Sequence, residues 1–353
     1  MKILVAMSGG VDSSVAAQLL TDAGHTCIGC TMKLYDNEDA GIPRGHTCCS
    51  LDDVEDARSV AYRLGMRYYV FNFSDDFRAK VMEPFAAAYQ HGRTPNPCID
   101  CNRYMKFDKL FDRAQILGCD HIATGHYARV TFDGTRYHLK KSCDESKDQS
   151  YVLYAMTQAQ LAHTLFPLGD LHKTETRRIA AESGLVNADK PDSQDICFVP
   201  DGDYVRFIER FTGQAAQPGN FVDAAGNVLG QHRGVIRYTV GQRRIGLALP
   251  ERRYVCRICP EQNTVVLGTE AELYRSEADA DGFNWISGTV PDAPFQCTVR
   301  TRYHQPEQAA WVTPVGDDRV HIRFDAPQRA ITPGQAAVLY DGDEVLGGGV
   351  LCS

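Results

Sequence analysis

Hydrophobic positions fall into two regimes along this chain. Up to about residue 125, short apolar runs alternate with stretches of helical period. "KILVA" reads as a buried strand, and Val11, Val15 and Leu19 with Ala16, Leu20 and Ala23 then mark one helical face. Gly24 follows where a helix end favours a left-handed residue. "TCIGCTMKLY" predicts a second strand, and Ser50 with Asp53 signals a cap before Val54, Ala57, Ala61 and Leu64. "RYYVFNF" is the next strand and "FRAKVMEPFAAAYQ" the next helix. After the loop "HGRTPNPCIDCN" come a helix through "MKFDKLFDRAQILG" and the strand "DHIAT". Residues 161–184 look helical again and end in the polar segment "NADKPDSQDICF".

Beyond about residue 203 the period changes. Short β-type runs such as "GVIRYTV", "YVCRICPEQNTVVLG", "CTVRTRYH" and "RVHIRFD" are separated by Gly, Pro and Asp, and Asp341-Gly342 is a hairpin dipeptide. The expected fold is α/β: a doubly wound parallel sheet over residues 1–202, a β-rich middle domain over 203–272, and a C-terminal antiparallel β-barrel over 273–353. In a doubly wound sheet, ligands bind at the carboxyl ends of the strands. The "AMSGGVDSS" and "TGHY" segments are expected there.

Composition narrows the class. With 353 residues, 43% hydrophobic and 23% charged, the chain suits an ordinary globular protein of several domains. No apolar run nears the roughly 20 residues that span a bilayer, and Ile3–Met7 is too short for a secretory core. A cytoplasmic protein is expected. Thirteen cysteines, an odd number in so long a chain, point to thiols, ligands or catalysts rather than a disulfide framework. Cys27/Cys30 and Cys256/Cys259 lie in β-type runs and read as core; Cys48-Cys49 sits in a polar loop. Cys98/Cys101 sits ahead of a helix start, where thiols should be exposed and biased toward thiolate. The net charge of −8 argues against a nucleic-acid partner, but six arginines between Leu229 and Arg253 face one acid, Glu251. That strip could grip an RNA backbone.

"AMSGGVDSS" carries the clearest chemistry. A Gly-Gly turn entering a helix points backbone N–H groups at an anion, and Ser8, Ser13 and Ser14 add hydroxyl donors. No lysine follows the glycines, so it is neither a Walker loop nor GxGxxG. The stretch resembles the SGGxDS signature of PP-loop ATP pyrophosphatases, which adenylate a carbonyl oxygen. "TPNPCIDCN", "TGHY", "KDQSY", "DSQDICF", "YTVGQRRIGL", "VRTRYH" and "TPGQAAVLYDGDEVLGGG" together resemble the tRNA-specific 2-thiouridylase family along the whole chain.

That resemblance implies ATP-dependent thiolation of the wobble uridine of tRNA. It implies ATP contacts at Ala6, Met7, Ser8, Gly9, Gly10, Val11, Asp12, Ser13, Met32 and Gly125, with Asp12 near a Mg²⁺ ion. Cys101 would be the nucleophile and Cys197 the persulfide carrier, linked as a disulfide during turnover. Asn96, Pro97 and Cys98 would meet the target base. His126, Lys147, Asp148, Gln149, Arg302, Tyr303 and Gln335 would touch tRNA, the Arg-Tyr pair by stacking. A cysteine desulfurase or relay protein would supply sulfur. Cys98 stands where some relatives carry Asp. Cys98, Cys101 and Cys197 are therefore also possible ligands of an iron–sulfur cluster with one open iron, and CxxC spacing alone suits zinc. Two further readings are a PP-loop synthetase acting on a small molecule and a non-catalytic RNA-binding or iron–sulfur scaffold.

Overall fold

The structure, a computed structural model, describes residues 1–36, 51–191 and 196–352. Cys48, Cys49, the Ser50 cap and residues 192–195 of the "DSQDICF" segment lie outside that range. Strands β1 (Lys2–Ala6), β2 (Thr26–Lys33), β3 (Arg67–Asn72) and β4 (His121–Ala123) are parallel. A hairpin of β5 (Ala128–Phe132) and β6 (Tyr137–Lys141) intervenes before β7 (Thr164–Leu165), which completes the sheet in the order β3-β2-β1-β4-β7. The α/β expectation holds. Ile3, Leu4 and Val5 are fully buried because helices cover both faces. The Val11–Asp22 helix packs Val11, Val15, Ala16 and Leu20 inward, then ends with Gly24 at φ +79°.

Strands β8 (Gly219–Val222), β9 (Val228–His232), β10 (Tyr254–Cys259) and β11 (Thr264–Gly268) form a small middle sheet. β12 (Tyr274–Trp285), β13 (Phe295–Arg300), β14 (Gln308–Val315), β15 (Arg319–Arg329), β16 (Ala336–Asp341) and β17 (Glu344–Leu351) pair in the order β12-β15-β14-β13-β16-β17. Pairing of β12 with β17 closes them into a six-stranded antiparallel barrel. Among the described residues no helix is long and apolar enough to cross a membrane.

Two readings need correction, and one element was missed. "GVIRYTV" is no strand: Val235–Arg237 is a 3-10 turn that buries Ile236 and Tyr238. Its β-branched content reflects burial, not pairing. Residues 161–184 are not one helix, since β7 and a loop precede the Lys173–Glu182 helix. The β5–β6 hairpin was not anticipated, and it adds to the barrel edge through β17.

His138 fastens that hairpin. Its Nδ1 lies 2.7 Å from Glu344 and its Nε2 2.8 Å from Asp133. Asp133 first, and Glu344 with it, raises the imidazole pKa above its usual 6.5. A raised histidine stabilises fully below the unfolded pKa, and the contribution fades as pH rises through the folded value. His138→Asn should therefore cost about 1 kcal/mol near pH 5.5 and less by pH 9, measured by urea denaturation at both pH values. An equal cost at both would show that the imidazole's charge is irrelevant.

Candidate active site

Parallel register aligns the carboxyl ends of β1 and β4, with Val5 opposite Ala123. The strand order reverses between these neighbours, which is where open α/β sheets bind ligands. Leaving β1, the chain turns through Ser8-Gly9-Gly10 into the Val11–Asp22 helix. Gly10 caps that helix without any side-chain bond to its first N–H groups, so these donors and the helix dipole face the turn. Ser13 Oγ accepts from Ser8 N at 3.1 Å and donates to the Gly10 carbonyl at 3.0 Å. Ser14 Oγ donates to the same carbonyl. Thr31 Oγ1 fixes the Met7 carbonyl at 2.6 Å, and Met32 follows at the half-buried end of β2. At Gly125 a Cβ would stand 2.7 Å from the Asp12 carbonyl carbon and the Ser13 nitrogen, so only glycine lets the end of β4 approach the loop. The loop from Ala6 to Ser13 thus lies against Gly125 and beside the end of β2 that carries Met32, with the N-terminus of a helix turned toward it.

Asp12 is the exception to its expected role. Lys173 Nζ donates to both its oxygens, at 2.7 and 2.8 Å, and Tyr127 OH donates at 2.9 Å. With both oxygens committed to an ammonium, Asp12 does not fit as a magnesium ligand. It positions Lys173 and Tyr127 instead. Behind the loop, Asn187 Nδ2 donates to the Gly9 carbonyl at 2.9 Å and to Ser14 Oγ at 2.8 Å. Lys190 Nζ joins the Gly9 carbonyl to Asp53 and Asp56. Sequence reasoning missed Lys173, Asn187 and Lys190, which lie more than 150 residues beyond the loop they serve; only Tyr127, inside "TGHY", had a local signal.

The thiols sit differently from expectation. The helix begins at Pro97 rather than near residue 105. Asn96 Oδ1 caps it by accepting from Cys98 N at 3.1 Å, and Pro97 occupies the first position. Cys98 and Cys101 are therefore helical, the first exposed and the second half-buried. Their thiols are not depressed. Cys98 reaches solvent at its edge, yet the protein packed around it raises its thiol, and burial pushes Cys101 up to about 11, with the Lys106 ammonium pulling both the other way. Burial likewise pushes the neighbouring Asp100 carboxyl up to about 6. Cys197 is exposed, and its carbonyl accepts from Tyr35 OH at 2.6 Å, just past β2. Phe198 locks that segment between Phe77 and Phe85, with ring centroids 5.6 and 5.3 Å away. Ile196 and Cys101 pack against the same apolar cluster as Tyr35, Ile99 and Phe198. Among the described residues no three His, Cys, Asp or Glu side chains are grouped to hold a metal ion, so Cys98, Cys101 and Cys197 do not fit a cluster or zinc as they stand.

The expected RNA contacts divide. His126 is buried and Asp148 is buried against Arg300 at 3.0 Å, so neither presents its side chain outward. Gln149 Oε1 accepts from Tyr127 N, and Lys147 is half-buried. The Arg302-Tyr303 pair is half-buried rather than exposed: Arg302 donates to Ala330 O and Thr332 Oγ1, and Tyr303 packs 5.7 Å from Tyr151. Gln335 Nε2 donates to the Thr94 carbonyl at 2.7 Å, while Thr94 N donates to Pro333 O and Thr94 Oγ1 to Thr239. The barrel and the middle domain thus brace the loop that delivers Asn96, Pro97 and Cys98. Of the six strip arginines, Arg233, Arg243, Arg244 and Arg252 are exposed; Arg237 pairs with Glu209, and Arg253 with Glu251.

Comparison with known proteins covers all three parts of the fold. A model of the tRNA methyl transferase HUP domain matches residues 1–201, one of the tRNA methyl transferase PRC-barrel domain matches 205–269, and one of the aminomethyltransferase beta-barrel domain matches 275–351. The tRNA-specific 2-thiouridylase MnmA of Acetivibrio thermocellus is 51% identical to this chain, over 99% of each. The chain belongs to the tRNA-specific 2-thiouridylase family. A second 2-thiouridylase, from Clostridium acetobutylicum, is 48% identical over 99% of both chains. Among solved structures, a 4-thiouridine synthetase bound to RNA and ATP aligns with 60% of this chain and 50% of its own, at 18% identity and a TM-score of 0.39.

Proposed function

We propose that this 2-thiouridylase-family member is a cytoplasmic, ATP-dependent tRNA-uridine 2-sulfurtransferase acting on the wobble position. The supporting observation is the Ser8–Ser13 turn at the β1/β4 switch point, together with the packing of Cys101, Ile196, Ala6 and Met32 on one apolar cluster that joins both thiol-bearing segments to the strand ends. ATP lies along Ser8–Ser13, and the uracil C2 oxygen attacks the α-phosphorus with loss of pyrophosphate. The terminal sulfur of a Cys197 persulfide, loaded by a cysteine desulfurase or relay protein, then attacks C2. The C2–O bond breaks and AMP leaves with the oxygen. Cys101 thiolate attacks Cys197 Sγ, the S–S bond to the new sulfur breaks, and 2-thiouridine departs. The Cys101–Cys197 disulfide so formed is reopened by a dithiol reductant. Asn96–Cys98 would meet the base, and the exposed arginines of the middle domain the RNA backbone. Magnesium would arrive with the nucleotide phosphates, and no step uses Asp12 as its ligand.

The test is direct. Polysulfide-loaded protein, ATP and a tRNA transcript with uridine at the wobble position should yield 2-thiouridine and stoichiometric pyrophosphate. A transcript with wobble cytidine should yield neither. Thiolation without ATP, or pyrophosphate release that a small amine or carboxylate supports as well as tRNA, would overturn the reading.

A further inference from the structure

The Pro97 helix changes winding at the very residue that carries the inner thiol. Pro97–Asp100 is α-helical, whereas Cys101–Lys109 is a π-helix before α-winding resumes at Leu110. In an α-helix, residues five apart point about 140° away from each other. Bonding from i to i+5 returns them to nearly one face, and such segments cluster at functional sites. Of the four such pairs in this segment, the first joins Cys101 to Lys106.

Lys106 is aimed from its other side. Its Nζ lies 3.3 Å from His126 Nε2, its one hydrogen-bond partner among the described residues. His126 Nδ1 lies 2.6 Å from Thr124 Oγ1 at the end of β4. The imidazole is buried against Phe107 and Phe166, and burial together with the Lys106 charge lowers its pKa well below 6.5. A neutral ring facing an ammonium must accept at Nε2, so Nδ1–H donates to Thr124. This fixes the tautomer and leaves two of the three ammonium protons for other partners. Lys106 thus shares the π-turn with Cys101 and meets His126, the residue after Gly125, which packs on the backbone of Asp12 and Ser13; its charge is felt at both thiols.

We propose that Lys106 is the cation of the sulfur-transfer step, held in place by a Thr124–His126 relay. The inference rests on the sulfurtransferase reading. As sulfur attacks C2 and AMP departs, one negative charge moves from sulfur through the tetrahedral adduct to a phosphate oxygen. A preplaced ammonium along that path lowers the barrier without reorganising. His126 is the positioning residue, so its expected role is internal aim rather than contact with RNA.

Single-turnover reactions of the polysulfide-loaded full chain separate the steps, with pyrophosphate and 2-thiouridine measured in the same samples. Lys106→Gln should release pyrophosphate within about threefold of the wild-type rate while thiolation falls by about 10²–10³. Lys106→Arg should recover part of the loss, since it keeps the charge, and His126→Ala should lower thiolation with unchanged KM for ATP. Wild-type thiolation by Lys106→Gln overturns the proposal. So does an equal loss of both products in Lys106→Gln and Lys106→Arg, which would assign the side chain to the nucleotide or the fold. Failure of the sulfurtransferase reading shows separately, as wild-type protein that makes neither product.

Discussion

Gly9→Ala is expected to abolish ATP-dependent pyrophosphate release and to destabilise the chain by about 2–4 kcal/mol. Gly9 has φ +78°, and a Cβ there would stand 2.3 Å from the Asp53 carbonyl oxygen and 2.7 Å from its Cα. Those are backbone atoms at the start of the Leu51–Arg63 helix, so no rotamer change relieves the contact. The loop and that helix cannot separate cheaply, because Lys190 joins the Gly9 carbonyl to Asp53 and Asp56. Displacement would also strain the Asn187 bonds to Gly9 and Ser14. The backbone N–H groups of the loop therefore move together. Gly24→Ala is the control: its φ is +79°, yet nothing lies within 4 Å of the added Cβ. It should cost only the backbone term, about 1 kcal/mol, with activity kept. Pyrophosphate release and thermal melting of both variants decide the matter; equal behaviour would mean that contact with Asp53 is not what demands glycine.

These two glycines show what a sequence discloses. A turn from strand to helix is contiguous, so "SGGVDSS" displays its glycines and hydroxyls together, and its place between β1 and a helix at the carboxyl edge of the sheet was readable. What closes on it was not: Lys173, Asn187 and Lys190 meet the loop only after the sheet folds. The β5–β6 hairpin was readable, since Asp133-Gly134 stands between "ARVTF" and "TRYHLKK" in the pattern of a hairpin turn. Its destination beside β17, more than 200 residues on, was not. The thiols mark a different limit. Proline and CxxC spacing suggested a loop, whereas Asn96 and Pro97 start the helix early and carry Cys101 into a half-buried setting. Thiol pKa follows that burial, which a local motif does not encode.

Burial at Cys101 bears on the other large effect, the loss of thiolation when either sulfur is removed. Cys197→Ser and Cys101→Ser should each lower 2-thiouridine formation by at least about a thousandfold, with pyrophosphate release retained. A serine hydroxyl at Cys197 carries no sulfane sulfur. One at Cys101 cannot displace 2-thiouridine from the mixed disulfide, so that variant should accumulate tRNA joined covalently to Cys197 and released by dithiothreitol. Because the Cys101 thiol is pushed up to about 11, its thiolate grows with pH. The resolving step in wild-type protein should accelerate from pH 7 to 9, and Cys101→Ser should lose that acceleration. Cys98→Ser separates the persulfide from a three-cysteine cluster. Persulfide chemistry does not use Cys98 sulfur, so thiolation should stay within about tenfold of wild type in iron-free protein. A collapse to the level of the other two variants, together with iron bound to wild-type protein purified anaerobically, would show that all three sulfurs act as ligands.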